Sequence, residues 1–492
     1  MSKIEYKNSV PLDAGLTIVS DDFEEAIAQI YSELRSTGKF VRSHSRFTDA
    51  LRTVVANVFN ASSIDPDMAV GYSRNKTWYS TSLLNMEVGL RYDAMVRVVD
   101  SLARDCGYLE LKKGYWDKKS KKGHSARMRA TPKLMGLLCA THGVDLQDVR
   151  RKRIGDIIIQ KDKDKKSIGF DDTSDVIRMR GNLEIINAMI NSKFIGLAVF
   201  DETIEEINGE LASKLDEDGE YRKVLDFTRR SLTRIFNNSS FQEGGRFYNG
   251  WWQEIPNRFR KFIRIDDMGV EEVDFSGLHI NMLYLEEGLS LPVEDVYMLK
   301  GIPDESRTML KIALQIILNS PTKNTATRKI KHEYPESSDP ELFSKFSHSK
   351  IIKAFRKKHY QIEKYFYKGH GVKLQFIDSE IAEDILLCLA AKGIVALPVH
   401  DSFLVQRIHL KELIETMKEA TLRRYLQILK VKKDPSAYEE NKVLIAQEVM
   451  EEDVPQTVEE YERSWTSAKE YPAYLTRMQM WHQDQRNSRP PG

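Results

Sequence analysis

Two short strand-like segments in the middle of the chain each lead to an aspartate. In the first, GVEEVD leads to Asp274 and is followed by the helical pattern LHINMLY. In the second, GIVALPVHD leads to Asp401, turns, and continues as the apolar run SFLV. Short apolar runs bounded by turn residues are typical of buried strands. Because residues 240–435 alternate such runs with helical patterns, they predict an α+β domain, with Asp274 and Asp401 as strand-end carboxylates.

The length of 492 residues exceeds what one hydrophobic core usually supports and predicts about two or three domains. No stretch approaches the roughly 18–20 apolar residues of a membrane span, and the polar N-terminus has no signal-peptide core. The 3 cysteines form no CxxC pair, which argues against a zinc site and a disulfide framework. We therefore expect a cytoplasmic protein without a membrane partner.

Residues 1–150 predict a mainly helical domain. Helical patterns between 22 and 106 precede two strand-like runs, YLELKKGYW and SARMRATPKL, which a basic DKKSKKGH turn joins. A helix followed by a basic hairpin resembles the winged-helix fold, and Tyr108, Tyr115 and Trp116 among the lysines suit a phosphate-binding wing. The alternative is an exposed hairpin without a ligand. The predicted DNA-binding cations are Lys118, Lys119, Lys121, Lys122, Arg127 and Arg129.

Three further regions follow this domain. Residues 151–175 are charged and poor in periodicity, which predicts a linker. Residues 176–435 predict the α+β core, including its leading helices. Residues 436–492 predict an acidic helical extension that ends in a disordered RNSRPPG.

A third segment, SRTMLKIALQIILNS, predicts a helix that carries Arg307 and Lys311 on one face, four residues apart. Together with two carboxylates, these cations suit phosphoryl transfer. Two divalent metals, about 3.5–4 Å apart, activate the attacking hydroxyl and stabilise the leaving pyrophosphate, and they require hard oxygen ligands. The triphosphate requires cations from the opposite side, and a lysine there can also protonate the pyrophosphate.

VDFSGLHINMLY, RTMLK and VHDSFLV resemble, in this order, motifs A, B and C of the family A polymerases, which include bacterial DNA polymerase I and the single-subunit phage and mitochondrial RNA polymerases. The resemblance covers roughly residues 240–425 and implies a right hand of palm, fingers and thumb. It implies that Asp274 and Asp401 bind two Mg²⁺ ions, with Mn²⁺ as an alternative. It also implies that Arg307 and Lys311 contact the incoming triphosphate, with Lys311 in a catalytic role.

Two neighbouring segments extend the resemblance. GGRFYNG is similar to the element that holds template and hybrid in the RNA-polymerase branch, which implies that Arg246 and Tyr248 contact nucleic acid. QFIDSEIAEDIL resembles the helix before motif C, which leans on the primer–template minor groove. His400 has two interpretations, a hydrogen-bonded turn residue or a contact to the primer end.

The motifs depart from the family pattern at the substrate-binding positions. Gln315 and Asn319 stand where the family carries aromatic residues that stack on the nascent base pair. Motif A aligns in two ways, which places either His279 or Gly277 at the gate position, where the family discriminates deoxyribose from ribose. Gly277 at this position would admit a ribose. The short distance between motifs A and C implies reduced fingers. The choice between deoxyribose and ribose therefore stays open.

We expect a template-directed nucleotidyltransferase, a DNA polymerase or primase-polymerase that replicates a plasmid, phage or mobile element. Its partners would be a DNA template with a primer and nucleoside triphosphates. One alternative is a DNA-directed single-subunit RNA polymerase that uses ribonucleotides. Another is a catalytically silent DNA-binding replication initiator. The sequence leaves open the template, the need for a primer, the oligomeric state and the role of the acidic extension.

Overall fold

The computed structural model describes residues 3–38, 44–81, 90–118, 122–152, 154–213, 215, 220–335, 338, 340–425 and 471–487. The described chain mixes helices and strands, in agreement with the predicted mixed class. Lys119 and Lys121 lie outside these residues, as do most of the predicted acidic extension and the RNSRPPG terminus from residue 488 onward.

The α-helices in chain order are α1 (Asp21–Ser36), α2 (His44–Ile64), α3 (Lys76–Thr81), α4 (Tyr92–Arg104), α5 (Pro132–Met135), α6 (Ser174–Asn191), α7 (Asp201–Ala212), α8 (Asn257–Arg260), α9 (Leu278–Glu286), α10 (Arg307–Asn319), α11 (Lys323–Glu333), α12 (Pro340–Lys345), α13 (His348–Lys358), α14 (Gly371–Ala391), α15 (Leu410–Tyr425) and α16 (Pro472–Asn487).

The strands are β1 (Ser9–Pro11), β2 (Leu16–Ile18), β3 (Ala69–Tyr72), β4 (Leu109–Lys112), β5 (Tyr115–Asp117), β6 (Lys122–His124), β7 (Ala126–Ala130), β8 (Val149–Arg151), β9 (Ile158–Lys161), β10 (Ser167–Ile168), β11 (Ile195–Leu197), β12 (Thr233–Phe236), β13 (Gly244–Tyr248), β14 (Ile263–Ile265), β15 (Met268–Asp274), β16 (Leu397–Val399) and β17 (Ser402–Gln406).

The first of two large hydrophobic cores is built from residues between Leu16 and Val149. Its sheet has the order β1-β3-β7-β4, in which β1 and β3 are parallel and the other pairs antiparallel. Helix α4 buries Met95 and Leu102 as the helical spacing predicts. The two predicted strand-like runs form one hairpin. Near its base β4 pairs with β7 in the four-stranded sheet, and nearer its tip β5 pairs with β6 outside that sheet.

The second core is built from residues between Ile157 and Ala420. It contains a four-stranded sheet of order β10-β9-β12-β13 and a five-stranded sheet of order β11-β14-β15-β17-β16. The prediction of a linker over 151–175 is wrong, because β9 and β10 lie there and β9 pairs with β12. Ile157 and Ile158 are buried in the core, and the charged residues around them had masked this short strand.

The segment 220–226 joins the two cores. Arg222 pairs with Asp65 at 3.1 Å, and its backbone N–H donates to the Ser9 carbonyl at 2.9 Å. Asp226 accepts from Arg151 at 2.5 Å. Ionic and backbone contacts therefore connect strand β1 and helix α2 of the first core to a segment that leads directly into β12 of the second.

The C-terminal helix α16 packs on the edge strand β11. Tyr474 is fully buried there, its ring centroid lies 5.6 Å from that of Phe194, and its hydroxyl donates to Asp267 at 3.0 Å. Of the described helices, none is both long and apolar enough to cross a bilayer.

A buried arginine fastens the β12–β13 hairpin to α14. Arg234 has no exposed surface, and its guanidinium donates to Glu383 at 2.8 Å, Glu380 at 2.9 Å and Ser379 at 3.0 Å. Its Nε donates to the Gly245 carbonyl at 2.8 Å. Burial raises the pKa of Glu383 above its ordinary value, and Arg234 opposes this rise. The hairpin and the helix therefore depend on each other for charge compensation.

We predict that Arg234→Met lowers the free energy of unfolding by about 3–5 kcal/mol at pH 7, because it leaves the buried carboxylate of Glu383 without its cation. Urea denaturation measures this change. The deficit should shrink as the pH falls, because the raised pKa of Glu383 allows it to take up a proton. The matched control is Arg52→Met, which removes a surface pair with Glu24 at 2.6 Å and should cost no more than about 1 kcal/mol. Equal losses in the two variants would contradict the role given to Arg234.

Candidate active site

The two predicted carboxylates lie at neighbouring strand ends of the five-stranded sheet. Strands β15 and β17 are antiparallel, and Asp274, the last residue of β15, lies opposite Ser402. Asp401 directly precedes Ser402 in the tight turn between β16 and β17, where His400 has a φ of 59°. Burial, followed by the charges of Asp401 and Asp274, raises the pKa of Tyr297 above its ordinary value. Both carboxylates therefore act electrostatically on the same phenol.

A cavity of about 270 Å³ opens beside these strand ends. It brings together residues from β13, α9, α10, α14 and the β16–β17 turn. The polar and glycine residues that line it are Arg246, Gly277, His279, Tyr297, Arg307, Lys311, Gln315, Asn319, Gln375, His400 and Asp401. Tyr248 adjoins this group, since its ring centroid lies 6.1 Å from that of His400.

Helix α10 presents cations to the cavity along one face, as the four-residue spacing of Arg307 and Lys311 predicts. Arg307 donates from Nε to Asp295 at 2.7 Å. The charged groups of Arg307 and Lys311 lie 5.3 and 5.9 Å from the centroid of the Tyr297 ring. Burial alone would raise the pKa of Asp295, but the Tyr297 N–H and Arg307 outweigh it and hold that pKa below its ordinary value. Neither Asp295 nor Tyr297 belongs to a motif that sequence analysis could use.

Arg246, His279 and Asp378 form a hydrogen-bonded cluster on another wall of the cavity. Arg246 Nε lies 3.1 and 3.0 Å from the two Asp378 oxygens, and His279 Nε2 lies 2.8 Å from Oδ2. Asp378 is almost entirely buried. Burial would lower the pKa of Arg246, but Asp378 and then Asp401 raise it above its ordinary value. Sequence analysis missed Asp378, although the QFIDSEIAEDIL helix contains it.

The two candidate gate residues have structural roles. Gly277 has a φ of 64°, and a Cβ atom there would lie 2.6 Å from Val296 Cγ2, so the backbone and its packing require glycine. His279 is oriented by Asp378. On α10, Gln315 and Asn319 are exposed toward the cavity, and Asn319 Nδ2 donates to the Gln315 carbonyl at 2.9 Å.

The neutral form of His400 is favoured by its surroundings. Burial and then Arg246 lower the pKa of His400, while Asp401 opposes them. The imidazole is therefore uncharged at neutral pH, with a free electron pair on one ring nitrogen. This fits either a turn residue or a hydrogen-bond partner for a hydroxyl.

The predicted DNA-binding hairpin divides into buried and exposed side chains. Arg127 and Arg129 were wrongly assigned to phosphate binding: Arg127 pairs with Glu220 at 3.2 Å and Arg129 with Glu110 at 2.6 Å, and both are buried. Their alternation along β7 points them into the protein, which a count of basic residues does not reveal.

The aromatic residues of the hairpin divide in the same way. Tyr108 is buried and donates to Glu33 at 2.8 Å, so it is not a surface contact. Tyr115 and Trp116 are 47% and 63% exposed, and Lys118 is exposed beside them. Lys119, Lys121 and the side chain of Lys122 lie outside the described part of the chain.

Asp274 and Asp401 fit the ligand preference of Mg²⁺, which takes one or two carboxylates and completes its shell with water and substrate phosphates. Within the described residues no group of three or more His, Cys, Asp or Glu side chains is placed to hold a metal. Asp401 lines the cavity, whereas Asp274 lies at the adjacent strand end and is not among the lining residues.

A buried histidine supports the floor of the cavity. His359 Nε2 lies 2.8 Å from the carbonyl oxygen of Val296, the residue that packs on Gly277, and His359 Nδ1 lies 3.0 Å from the Tyr284 hydroxyl. An Nε2–H donor and an Nδ1 acceptor satisfy both contacts, so the ring is neutral. Burial lowers the pKa of His359 to about 4.

We predict that His359 contributes to acid sensitivity. The pKa of His359 in the folded state lies below its value of about 6.5 in the unfolded state. The contribution of this histidine to the free energy of unfolding is therefore complete above pH 6.5. As the pH falls toward 4, up to about 3 kcal/mol of that free energy is lost. His359→Gln should flatten the fall in unfolding free energy over this window, measured by urea denaturation. The exposed His332→Gln is the control. An unchanged pH dependence in His359→Gln would refute this assignment.

No protein-family model matches the chain, and no curated protein matches it significantly.

Proposed function

We propose that this protein is a template-directed nucleotidyltransferase, with Asp274 and Asp401 as ligands of catalytic Mg²⁺. In this proposal the five-stranded sheet is the palm of a family A-like polymerase and the first core is a winged-helix-like DNA-binding domain. The observation that carries the proposal is the cavity that Asp401 lines together with Arg307 and Lys311, with Asp274 at the adjacent strand end. A carboxylate and two cations in one cavity suit a metal-bound triphosphate.

Each wall of the cavity has a role in the proposed reaction. Arg307 and Lys311 bind the phosphate oxygens, and Asp295 fixes the direction of Arg307. Lys311 donates a proton to the pyrophosphate as it leaves. Bound Mg²⁺ would activate the primer 3′ hydroxyl for in-line attack on the α-phosphate and offset charge on the pyrophosphate. Tyr297 lies beside both cations and, with its raised pKa, remains protonated.

The cluster of Arg246, His279 and Asp378 is suited to the nucleic acid strand. Asp378 uses both oxygens on Arg246 and also orients His279, so both side chains are held on the cavity wall before substrate arrives. Such preorganisation lowers the cost of positioning a template or primer. Gln315 and Asn319 present amides rather than rings to the nascent pair, so hydrogen bonding replaces stacking there.

The sugar of the substrate has two candidates. Deoxyribonucleotides would make the protein a DNA polymerase or primase-polymerase of a plasmid, phage or mobile element, acting in the cytoplasm. Ribonucleotides would make it an RNA polymerase. Gly277 lines the cavity, but Val296 Cγ2 fills the space where its Cβ would lie, so this glycine does not favour either sugar. A silent initiator has no specific support, since both carboxylates are present.

The exposed side of the hairpin is the proposed duplex contact. Lys113, Tyr115, Trp116 and Lys118 are exposed on or beside β5. Of these, Lys113 lines a groove of about 900 Å³ together with Arg104 and Lys112. Cations in a groove, with exposed aromatic residues on the neighbouring strand, suit phosphate contacts that are strongly salt-dependent.

We predict that Asp401→Ala lowers primer extension at least about a hundredfold, because it removes a ligand of the catalytic metal. Extension of a labelled DNA primer is measured with deoxyribonucleotides and ribonucleotides in parallel, at fixed Mg²⁺. The matched control, Asp164→Ala, removes an exposed acid on a turn and should leave the rate unchanged. Incorporation by Asp401→Ala at the wild-type rate would disprove the catalytic assignment, and the two substrate arms decide the sugar.

We predict that the double variant Lys113→Glu/Lys118→Glu weakens duplex DNA binding about tenfold or more and makes it less dependent on salt. Each lost phosphate contact should reduce the salt slope by about 1. Fluorescence anisotropy over a range of salt concentrations measures both effects. Lys163→Glu/Lys166→Glu is the matched control, with the same charge change at exposed positions near β10. Equal weakening by both double variants would argue against a specific hairpin contact.

A further inference from the structure

A second cavity, of about 400 Å³, lies where α16 meets β8 and β11. The two cavities share no lining residue. Strand β11 is the edge of the five-stranded sheet and lies two strands away from β15, which carries Asp274. The second cavity is therefore separate from the proposed active site. Its lining includes Arg150, Arg151, Arg230, Arg477, Phe227, Met480 and Trp481.

The lining contains four arginines and, among the described residues, no carboxylate. Asp226, outside the lining, neutralises Arg151 at 2.5 Å. Arg230 and Arg477 instead donate to backbone carbonyls, Arg230 to Ile190 at 3.1 Å and Arg477 to Leu197 at 3.3 Å. Carbonyl dipoles compensate a guanidinium less well than a carboxylate, so the cavity has a positive wall.

Two of these arginines are incompletely compensated. The Nε atoms of Arg230 and Arg477 are enclosed by protein, and neither has a hydrogen-bond partner within the described residues. Burial lowers the pKa of Arg230 to about 10, while Asp266 opposes it. Burial also lowers the pKa of Arg477, while Asp201 and Tyr474 oppose it. Both side chains stay charged at neutral pH, and buried charges of this kind are stabilised when an anion fills the space beside them.

Aromatic rings form the rest of the wall. The Arg477 guanidinium lies 4.7 Å from the centroid of the Phe227 ring, and the Trp481 and Phe194 centroids are 6.2 Å apart. Asn191 and Ser231 add an amide and a hydroxyl, already joined at 3.2 Å. Cations beside aromatic faces recognise a phosphate that is attached to a planar base. The volume lies within the range of small-ligand sites, about 300–1,000 Å³.

We propose that this second cavity binds a nucleoside phosphate, with the phosphate on Arg230 and Arg477 and the base against Trp481 and Phe227. A free nucleotide and the phosphorylated end of a nucleic acid strand both offer this chemistry. Occupancy would tie α16 to β8 and to the segment before β12, because residues of all three elements line the cavity.

The test is calorimetric titration of the full chain in EDTA, which removes divalent metal from the active site. The probes are ADP, pyrophosphate, adenosine and a short 5′-phosphorylated DNA strand. Met480→Glu places a carboxylate in the cavity and keeps every arginine, and Met480→Gln is its neutral match. Arg477→Met is the second variant, with Arg35→Met on exposed α1 as its charge-matched control. Thermal unfolding verifies that each variant folds.

We expect ADP to bind one site and to bind about tenfold or more weakly to Met480→Glu and Arg477→Met, with both controls and Asp401→Ala near the wild-type value. Adenosine and pyrophosphate should each bind more weakly than ADP. Tighter binding of the DNA strand than of ADP would identify a strand end as the ligand. Tighter binding of ADP than of the DNA strand would identify a free nucleotide.

Three results would overturn the proposal: no ADP binding, pyrophosphate binding as tight as that of ADP, or binding lost in Asp401→Ala and retained in Met480→Glu. Failure of primer extension leaves this measurement unaffected, so the two proposals can fail separately.

Discussion

The buried ionic contacts between the β12–β13 hairpin and α14 are the constraint on which the second core depends. Arg234 and Arg246 come from the hairpin, and Glu383 and Asp378 come from the helix. An unpaired charge at this depth costs several kcal/mol, so other registers of hairpin on helix are strongly disfavoured. Because α14 also packs against α6, α9, α10 and α15, fixing its position fixes two walls of the first cavity.

Local patterns in the sequence predict the parts of the site that lie close together along the chain. Arg307 and Lys311 share a helix face because four residues make about one turn. Asp274 ends β15, and Asp401 lies in the turn after the apolar run that forms β16. Asp378 and Tyr297 could not be predicted, because their partners are distant in sequence. The prediction that Arg127 and Arg129 bind phosphate is wrong for a related reason. Their ion-pair partners, Glu220 and Glu110, come close only in the folded chain.

The same limit explains why the sequence predicts a linker over residues 151–175, where the structure has strands β9 and β10. Between 151 and 175 the charged residues outnumber the apolar ones, and periodicity over so short a strand as β9 is uninformative. What decides its structure is pairing with β12, more than 70 residues away, together with the burial of Ile158. Two cavities with different charge composition also result from folding alone. The lining of the first contains the carboxylate of Asp401 together with cations, whereas the lining of the second contains only cations among its charged groups.

The contacts of segment 220–226 have a geometric consequence. Arg222 and Asp226 link β1, α2 and β8 to the strand that leads into the first cavity, without an intervening tether. For the proposed enzyme, a duplex bound at the hairpin would lie at a fixed separation from the reacting phosphate. The position of the hairpin would then determine the number of nucleotides between the bound duplex and the first incorporated nucleotide.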